Sequence, residues 1–426
     1  MDNKIRVTKR QIYFWNLAGS LCNAVTSMIL LMIVTRTTDN YYADMFSYSF
    51  ALSQLLVTIG LFQVRNYQAT DVREKYEFTD YFTFRIITCF IMMIFAFLYV
   101  QFKGYTLDKK IVILFVCLYK SIEAMSDVFQ GLFQQKGRLD LAGKSLTLKA
   151  VFSSFIFAVG MYITNNLILS CSLLFISSCL CFALYDLRKY REFSQLNHVI
   201  QHIKKYYKRL YGIFGQCFPL FINGFLIMAI YNAPKNAIDL CTEQNILPQG
   251  IQTDYNIIFM PASVINLFLI FLRPFMTEMA YALSQNRKDR FYKMLYKIIG
   301  GLFLFGILSI IGAYLLGIPI LEVIYSRHLT KYKTELIMLM IAGGMSSLAT
   351  AIDNIITVIR IQHVLVISYF LSWIVARLIA YPLIEKYALY GTVVAFMVTM
   401  LILLICNLLI LLFGLKRHKD KRTGCD

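Results

Sequence analysis

Lys120, Glu123, Asp127 and Gln130 follow one another at spacings of three, four and three residues. On a helix those spacings put all four on one stripe. The surrounding residues are apolar, so the stripe carries charge into a setting where an unpaired charge costs several kcal/mol. Lys120 and Glu123 are placed to pair, and Glu123 and Asp127 to crowd each other. The next apolar stretch answers with Lys144, Thr147, Lys149, Ser153 and Ser154. Lys149 lies two turns in, where Glu123 or Asp127 would be in reach. Two readings stand side by side. One is an internal salt-bridge network that fastens two helices. The other is the polar wall of a water-filled cavity that binds an anion.

Other polar residues sit in apolar surroundings too. Arg377 follows Trp373-Ile374-Val375-Ala376, in the outer third of its stretch, where snorkelling to the interface is the alternative. Asp353, beside Asn354, is deep enough to seek a partner, and Arg360 is the candidate. Near the N-terminus Asn16, Ser20 and Asn23 share one helical face. A surface of Asn, Ser, Lys and Arg suits sugar hydroxyls and phosphate; it does not suit lipid tails.

The elements that must position these residues are apolar helices. The chain has 426 residues, 58% hydrophobic and 15% charged, and a mean hydropathy of +0.61. A hydrocarbon core about 30 Å thick needs about 20 apolar residues as helix. Stretches of that kind run approximately over 11–35, 41–63, 82–102, 111–133, 141–163, 166–186, 212–232, 254–275, 295–318, 334–358, 363–383 and 388–414. Backbone groups find no partner in lipid, so the spans are helices; a barrel would alternate polar and apolar residues. The expected fold is an all-α integral membrane protein of about twelve transmembrane helices in two six-helix lobes. Residues 1–186 form the first lobe, 187–211 a basic cytoplasmic linker, and 212–426 the second lobe with a basic tail.

Basic residues orient the chain. With the N-terminus cytoplasmic, roughly 29 Lys and Arg fall inside against about 9 outside, and both termini are inside. The formal charge of +18 is then largely topology signal against anionic headgroups, and nucleic acid is not an expected partner. No cleavable signal peptide is apparent, because the first apolar stretch is too long for one. Eight of the ten cysteines lie in spans; Cys241 and Cys425 fall in loops on opposite sides, so no disulfide framework is expected. Cys179-x-Cys181 points to two helix faces, and His198 and His202 belong to the basic linker, so no metal site is expected. Motifs for zinc proteases, phosphate-binding loops and nucleophile elbows are absent. The reading is of a transporter, not an enzyme, with no cofactor. All seven prolines, Pro219 to Pro382, lie in the second half. Pro219 and Pro261 interrupt spans seven and eight as kinks or hinges, and Pro274 closes span eight.

At the exit of the second span the sequence reads Arg65-Asn66-Tyr67-Gln68-Ala69-Thr70-Asp71-Val72-Arg73-Glu74-Lys75-Tyr76, then Tyr81 and Arg85, with Val34-Thr35-Arg36 and Phe46-Ser47 before it. Further on come the amphipathic Arg287–Lys297 segment and Pro382-Leu383-Ile384 followed by Tyr387 to Gly391. These stretches resemble polysaccharide flippases (Wzx-type) of the multidrug/oligosaccharidyl-lipid/polysaccharide exporter superfamily. The resemblance implies two lobes around a cationic cavity, and alternating access. It implies an undecaprenyl-diphosphate-linked oligosaccharide as substrate, moved from the inner to the outer leaflet of the bacterial cytoplasmic membrane for capsule or O-antigen assembly. Membrane lipids and other polysaccharide-assembly proteins would be its partners. Span one has no mid-membrane Arg, so the substrate-binding candidates are those read from the residues: Arg65, Lys120, Lys149, Arg377, Asn16 and Asn23. Glu123, Asp127 and Asp353 are the candidates for coupling or salt bridges.

Two other functions compete. A multidrug or cation antiporter of the same architecture would be expected to carry a mid-membrane acid in span one, and that span has none. A membrane-embedded polysaccharide polymerase or acyltransferase would be expected to show a large outer loop with Arg and His. The longest outer loop, about 233–253, carries only Lys235, Asp239 and Glu243. The topology has a direct test. In intact cells an impermeant thiol reagent should label a cysteine placed outside, between the seventh and eighth spans, and not one placed in 187–211. The reverse pattern inverts the orientation.

Overall fold

In the computed structural model the described residues are 8–69, 71, 75–193, 207–267, 269, 273–285, 287–359 and 361–423. Arg73, the linker stretch 194–206 with His198 and His202, Arg360 and Cys425 lie outside them. Every regular element among the described residues is helical. The chain divides into two compact units, Met1–Met228 and Ala229–Asp426.

The first unit contains α1 (Lys9–Thr37), α2 (Asn40–Leu61), the short α3 (Val64–Gln68), α4 (Phe78–Phe102), α5 (Leu107–Gln135), α6 (Leu139–Thr164) and α7 (Leu167–Cys181). The axis of α7 continues through a π-helical turn, Phe182–Leu187, to Tyr190. Next comes α8 (Tyr207–Glu243), which carries the boundary between the units. The second unit continues with α9 (Ile251–Leu267), α10 (Arg273–Ser284), α11 (Lys288–Gly312, extended through a π turn to Tyr325) and α12 (Lys333–Val358). The final run, Leu365–Thr423, is two helices, α13 (365–387) and α14 (389–423), that meet at Ala388. A Cβ on Gly391 would fall 1.9 Å from the Leu383 carbonyl oxygen. Eight residues of continuous helix would put those positions about 12 Å apart, so the chain turns back on itself there.

Among the described residues, eight helical segments are long and apolar enough to cross a membrane by length and composition. One of them, Leu365–Leu415, holds both α13 and α14. Adding α2, the charged α5 and the shorter α9 completes the twelve expected from hydropathy. The outward faces are apolar, as lipid requires: Phe90, Phe95, Phe155, Phe303, Leu304 and Leu409 are exposed.

Helices α8 to α10 correct two expectations. Helix α8 runs on to Glu243, so the outer loop shortens to 244–250, and Lys235, Asp239 and a buried Cys241 are helical. Helix is continuous through Pro219, Pro234 and Pro261. The eighth span ends at Leu267, and Pro274 opens α10. Proline fits there because a first-turn N–H has no helical acceptor.

Small residues set the closest helix crossing. A Cβ on Gly19 would lie 2.5 Å from the Gly143 carbonyl oxygen, and one on Gly143 would lie 2.0 Å from that of Trp15. Backbones of α1 and α6 therefore touch, the usual way for helices to associate in lipid. Gly143→Ala should destabilise the detergent-solubilised protein by about 1–3 kcal/mol, read as a lower melting temperature. Gly300→Ala, where a Cβ meets nothing within 4 Å, is the control. Equal behaviour of the two variants would contradict the backbone contact.

Candidate functional site

The polar residues of the first unit gather at one end of α5. Helix α2 ends with Phe62 and Gln63 in the left-handed conformation, φ 40° and 54°. This backbone is uncommon for non-glycine residues. Phe62 is held there by stacking on Phe221, ring centroids 4.3 Å apart, and by an edge contact with Phe84. The turn delivers α3, and with it Arg65, against α5.

Two guanidiniums meet on one carboxylate. Arg65 Nη1 is 3.2 Å from Asp127 Oδ1, and Arg85 Nη2 is 2.9 Å from Asp127 Oδ2. Arg85 is fully buried. Its Nη1 donates to the Gly60 carbonyl at 2.6 Å, and the Thr88 hydroxyl donates to the same oxygen. That carbonyl lies in the last turn of α2, where helix carbonyls lack their own donors. Arg65 also donates to Gln130 (2.9 Å) and Gln134 (3.3 Å).

From Gln130 the network crosses to α6 and α7. Gln130 Nε2 donates to Ser126 Oγ at 3.2 Å, and Ser126 donates to Asp186 Oδ2 at 2.5 Å. Lys149 Nζ lies 3.2 Å from the same oxygen. Asp186 is fully buried and sits in the π-helical turn of α7, a helix irregularity that is frequent at functional sites. Its Oδ1 is buried without a hydrogen-bond partner.

These partners revise the sequence reading. Lys149 pairs with Asp186 on α7, not with Glu123 or Asp127. Glu123 and Asp127 do not compete for one cation, since each engages its own. Lys120 Nζ is 2.6 Å from Glu123 and lies 4.9 Å from the centre of the Phe50 ring. Arg65, Lys120 and Lys149 are therefore all ion-paired. Asp353 accepts from Tyr369 Oη and, at 2.6 Å, from Asn407 Nδ2. No cation pairs with it among the described residues. Arg377 is exposed on α13. Asn16 is half-buried and Asn23 exposed on α1, and neither enters the network.

Sequence reasoning missed Arg85 as a site residue, and Asp186. Arg85 had a signal: it stands seven residues into an apolar helix. Asp186, at the edge of its span, had only its sign. The run from Arg65 to Arg85 now has a physical account. Asp71 accepts from the backbone N–H of Lys75 and Tyr76 and from the Tyr81 hydroxyl. Burial pushes its carboxyl up, but those three donors outweigh it and hold it below its ordinary value. The acid thus clasps the connection between α3 and α4, the two elements that bring Arg65 and Arg85 to Asp127.

No protein-family model matches the sequence, and no curated protein matches it. Solved structures do. A MATE transporter, VcmN of Vibrio cholerae, is similar over 96% of this chain and 97% of its own, with TM-score 0.60 and 11% identity. The lipid II flippase MurJ, in an inward closed conformation, is similar over 95% of this chain and 87% of its own, with TM-score 0.65 and 14% identity. A MOP-superfamily transporter from Pyrococcus furiosus has TM-score 0.54 and 10% identity over 96% and 94% of the two chains. The chain has the MOP-transporter fold. Its long apolar helices make it a multi-pass membrane protein.

The Lys149–Asp186 pair is buried, so removing one partner strands the other charge. Lys149→Gln and Asp186→Asn should each cost about 3–5 kcal/mol, and the double variant should recover much of it. Melting temperatures of the four purified proteins complete the cycle. Additive losses would show that the two side chains do not act as a pair.

Proposed function

We propose that this protein is a flippase for an undecaprenyl-diphosphate-linked oligosaccharide, turning it from the inner to the outer leaflet of the bacterial cytoplasmic membrane for surface polysaccharide assembly. One observation carries the reading. Arg65 and Arg85 share the single carboxylate of Asp127, so that node keeps a positive charge inside a membrane protein. Arg65, with 24% of its side chain exposed, is the accessible half. A guanidinium offers phosphate oxygens two parallel hydrogen bonds. A diphosphate, which cannot enter hydrocarbon without cations, would find them here.

The wider network agrees in sign. Arg65, Arg85, Lys120 and Lys149 face Glu123, Asp127 and Asp186, which leaves one uncompensated positive charge among these seven residues. With the termini cytoplasmic, the Asp127 node lies at the inner end of the unit, where the substrate is made. Lys120 lies about 20 Å along α5 from its start at Leu107, near the middle of the bilayer. The arrangement orders the cations from the inner mouth toward the centre. Asp353 suits a coupling role better than Glu123 or Asp127, which are engaged by cations.

A multidrug antiporter of the same fold is the second reading. It is weaker, because an organic cation would gain nothing from surplus positive charge. Arg65→Ala should abolish surface polysaccharide while the protein reaches the membrane at wild-type level, and Arg65→Lys should restore part of it. Lys120→Arg should be tolerated better than Lys120→Ala. Normal export by the Arg65→Ala and Lys120→Ala variants would overturn the assignment.

A further inference from the structure

Charge stops abruptly along α11. From Ile298 to Leu321 no charged residue occurs, so the helix enters hydrocarbon just after Lys297. Its first ten residues, Lys288 to Lys297, hold five basic residues and one acid, Asp289, over about 15 Å of helix. Helix α10, which precedes it, has 12 residues. That is about 18 Å, too short to cross a core about 30 Å thick. Both segments therefore belong at the headgroup layer.

The two segments fold back on each other. Arg290 pairs with Glu278, and the Lys297 ammonium lies 5.5 Å from the centre of the Phe275 ring. Those two contacts, one from each half of α10, make an antiparallel elbow. One side of it is packed: Met279 and Ala282 of α10 and Phe291 and Leu295 of α11 are buried. The other side faces out. Arg287, Arg290, Lys293 and Lys297 are exposed, and the last three share one helical stripe at spacings of three and four. Tyr292 and Tyr296 are exposed beside them. Glu278 compensates Arg290; Arg287, Lys293 and Lys297 make no ion pair among the described residues. Tyrosine beside basic residues at the end of a span suits the boundary of water and lipid, with the ring among acyl chains and the hydroxyl among phosphates. A headgroup of net negative charge completes that surface, as basic helix faces at a membrane select anionic lipid.

We propose that the elbow of α10 and α11 is a binding site for anionic phospholipid of the bilayer, with Lys293 and Lys297 holding the headgroup phosphate. With both termini cytoplasmic, the elbow faces the inner leaflet, whose anionic lipids attract such basic clusters. Bound lipid fastens α10 to the start of α11 and sets the depth of that span. The site serves whatever the protein carries, so it does not rest on the flippase reading.

The test uses full-length protein in nanodiscs of phosphatidylcholine with increasing phosphatidylglycerol. Reductive methylation, read by peptide mass spectrometry, reports the access of each lysine. Lys386 is the control: it is exposed, it also lies over a tyrosine ring, and its neighbour is an acid, Glu385. Lys293 and Lys297 should become protected at a lower phosphatidylglycerol fraction than Lys386, and high salt should release them. Lys293→Gln should raise the fraction that half-protects Lys297 by about fivefold, the worth of one basic residue at an anionic surface. Lys293→Arg should leave that fraction in place. The wild-type titration needs no variant to fold. Protection of all three lysines in parallel would overturn the proposal, since the surface potential alone would then be acting. So would no protection of Lys293 and Lys297 by phosphatidylglycerol, or equal protection in pure phosphatidylcholine.

Discussion

A charge inside a bilayer has to be matched, and the first unit is arranged around that requirement. Helix α5 carries Lys120, Glu123 and Asp127 on one face. Each needs a partner within about 4 Å, because the alternative is a bare charge at a cost of several kcal/mol. Lys120 and Glu123 pair with each other, Asp127 takes Arg65 from α3 and Arg85 from α4, and Ser126 of the same helix bonds Asp186 beyond α7, which also holds Lys149 of α6. Pairing therefore fixes how these helices face α5. Aromatic packing of Phe129 with Phe78, Phe82, Phe182 and Tyr190 then fills the apolar space beside it.

The hydrophobic pattern made the spans legible, since lipid admits only helices long enough to cross it. The polar stripe on α5 was legible for the same reason: helical spacing alone places its residues. Partner identity was not. Whether Lys149 meets Asp127 or Asp186 depends on the rotation of α6 and on the π-helical turn that re-aims Asp186, and neither is encoded in spacing. Arg85 was visible as an odd charge in α4, but its role depends on the two left-handed residues that end α2. The end of α8 was misplaced because Asn, Lys and Asp after residue 231 look like loop in hydropathy, while the helix simply continues through them to Glu243.

The pairing also shapes what the protein can carry. A network with equal numbers of acids and bases would hold helices and do nothing more. Here two guanidiniums share Asp127, and in the second unit the Lys235 ammonium lies over the Phe259 ring. Asp353 is the complementary case, a carboxylate satisfied by hydroxyl and amide donors. In the proposed flippase reading, surplus positive charge in membrane-spanning helices would favour an anionic passenger over the cations that an exporter of organic bases would move. That preference follows from Coulomb interaction in a low-dielectric setting, and it does not depend on which sugars the passenger bears.

The most direct measurement compares two lipids in proteoliposomes of the purified protein. One is a fluorescent oligosaccharide on polyprenyl diphosphate. The other carries the same oligosaccharide on an uncharged polyprenyl ether. Quenching by an impermeant reductant reports the fraction exposed on the outer leaflet over time. The account predicts transfer of the diphosphate lipid well above protein-free vesicles, and background transfer of the neutral one. Equal transfer of both, or transfer of neither alongside movement of an organic cation, would contradict it.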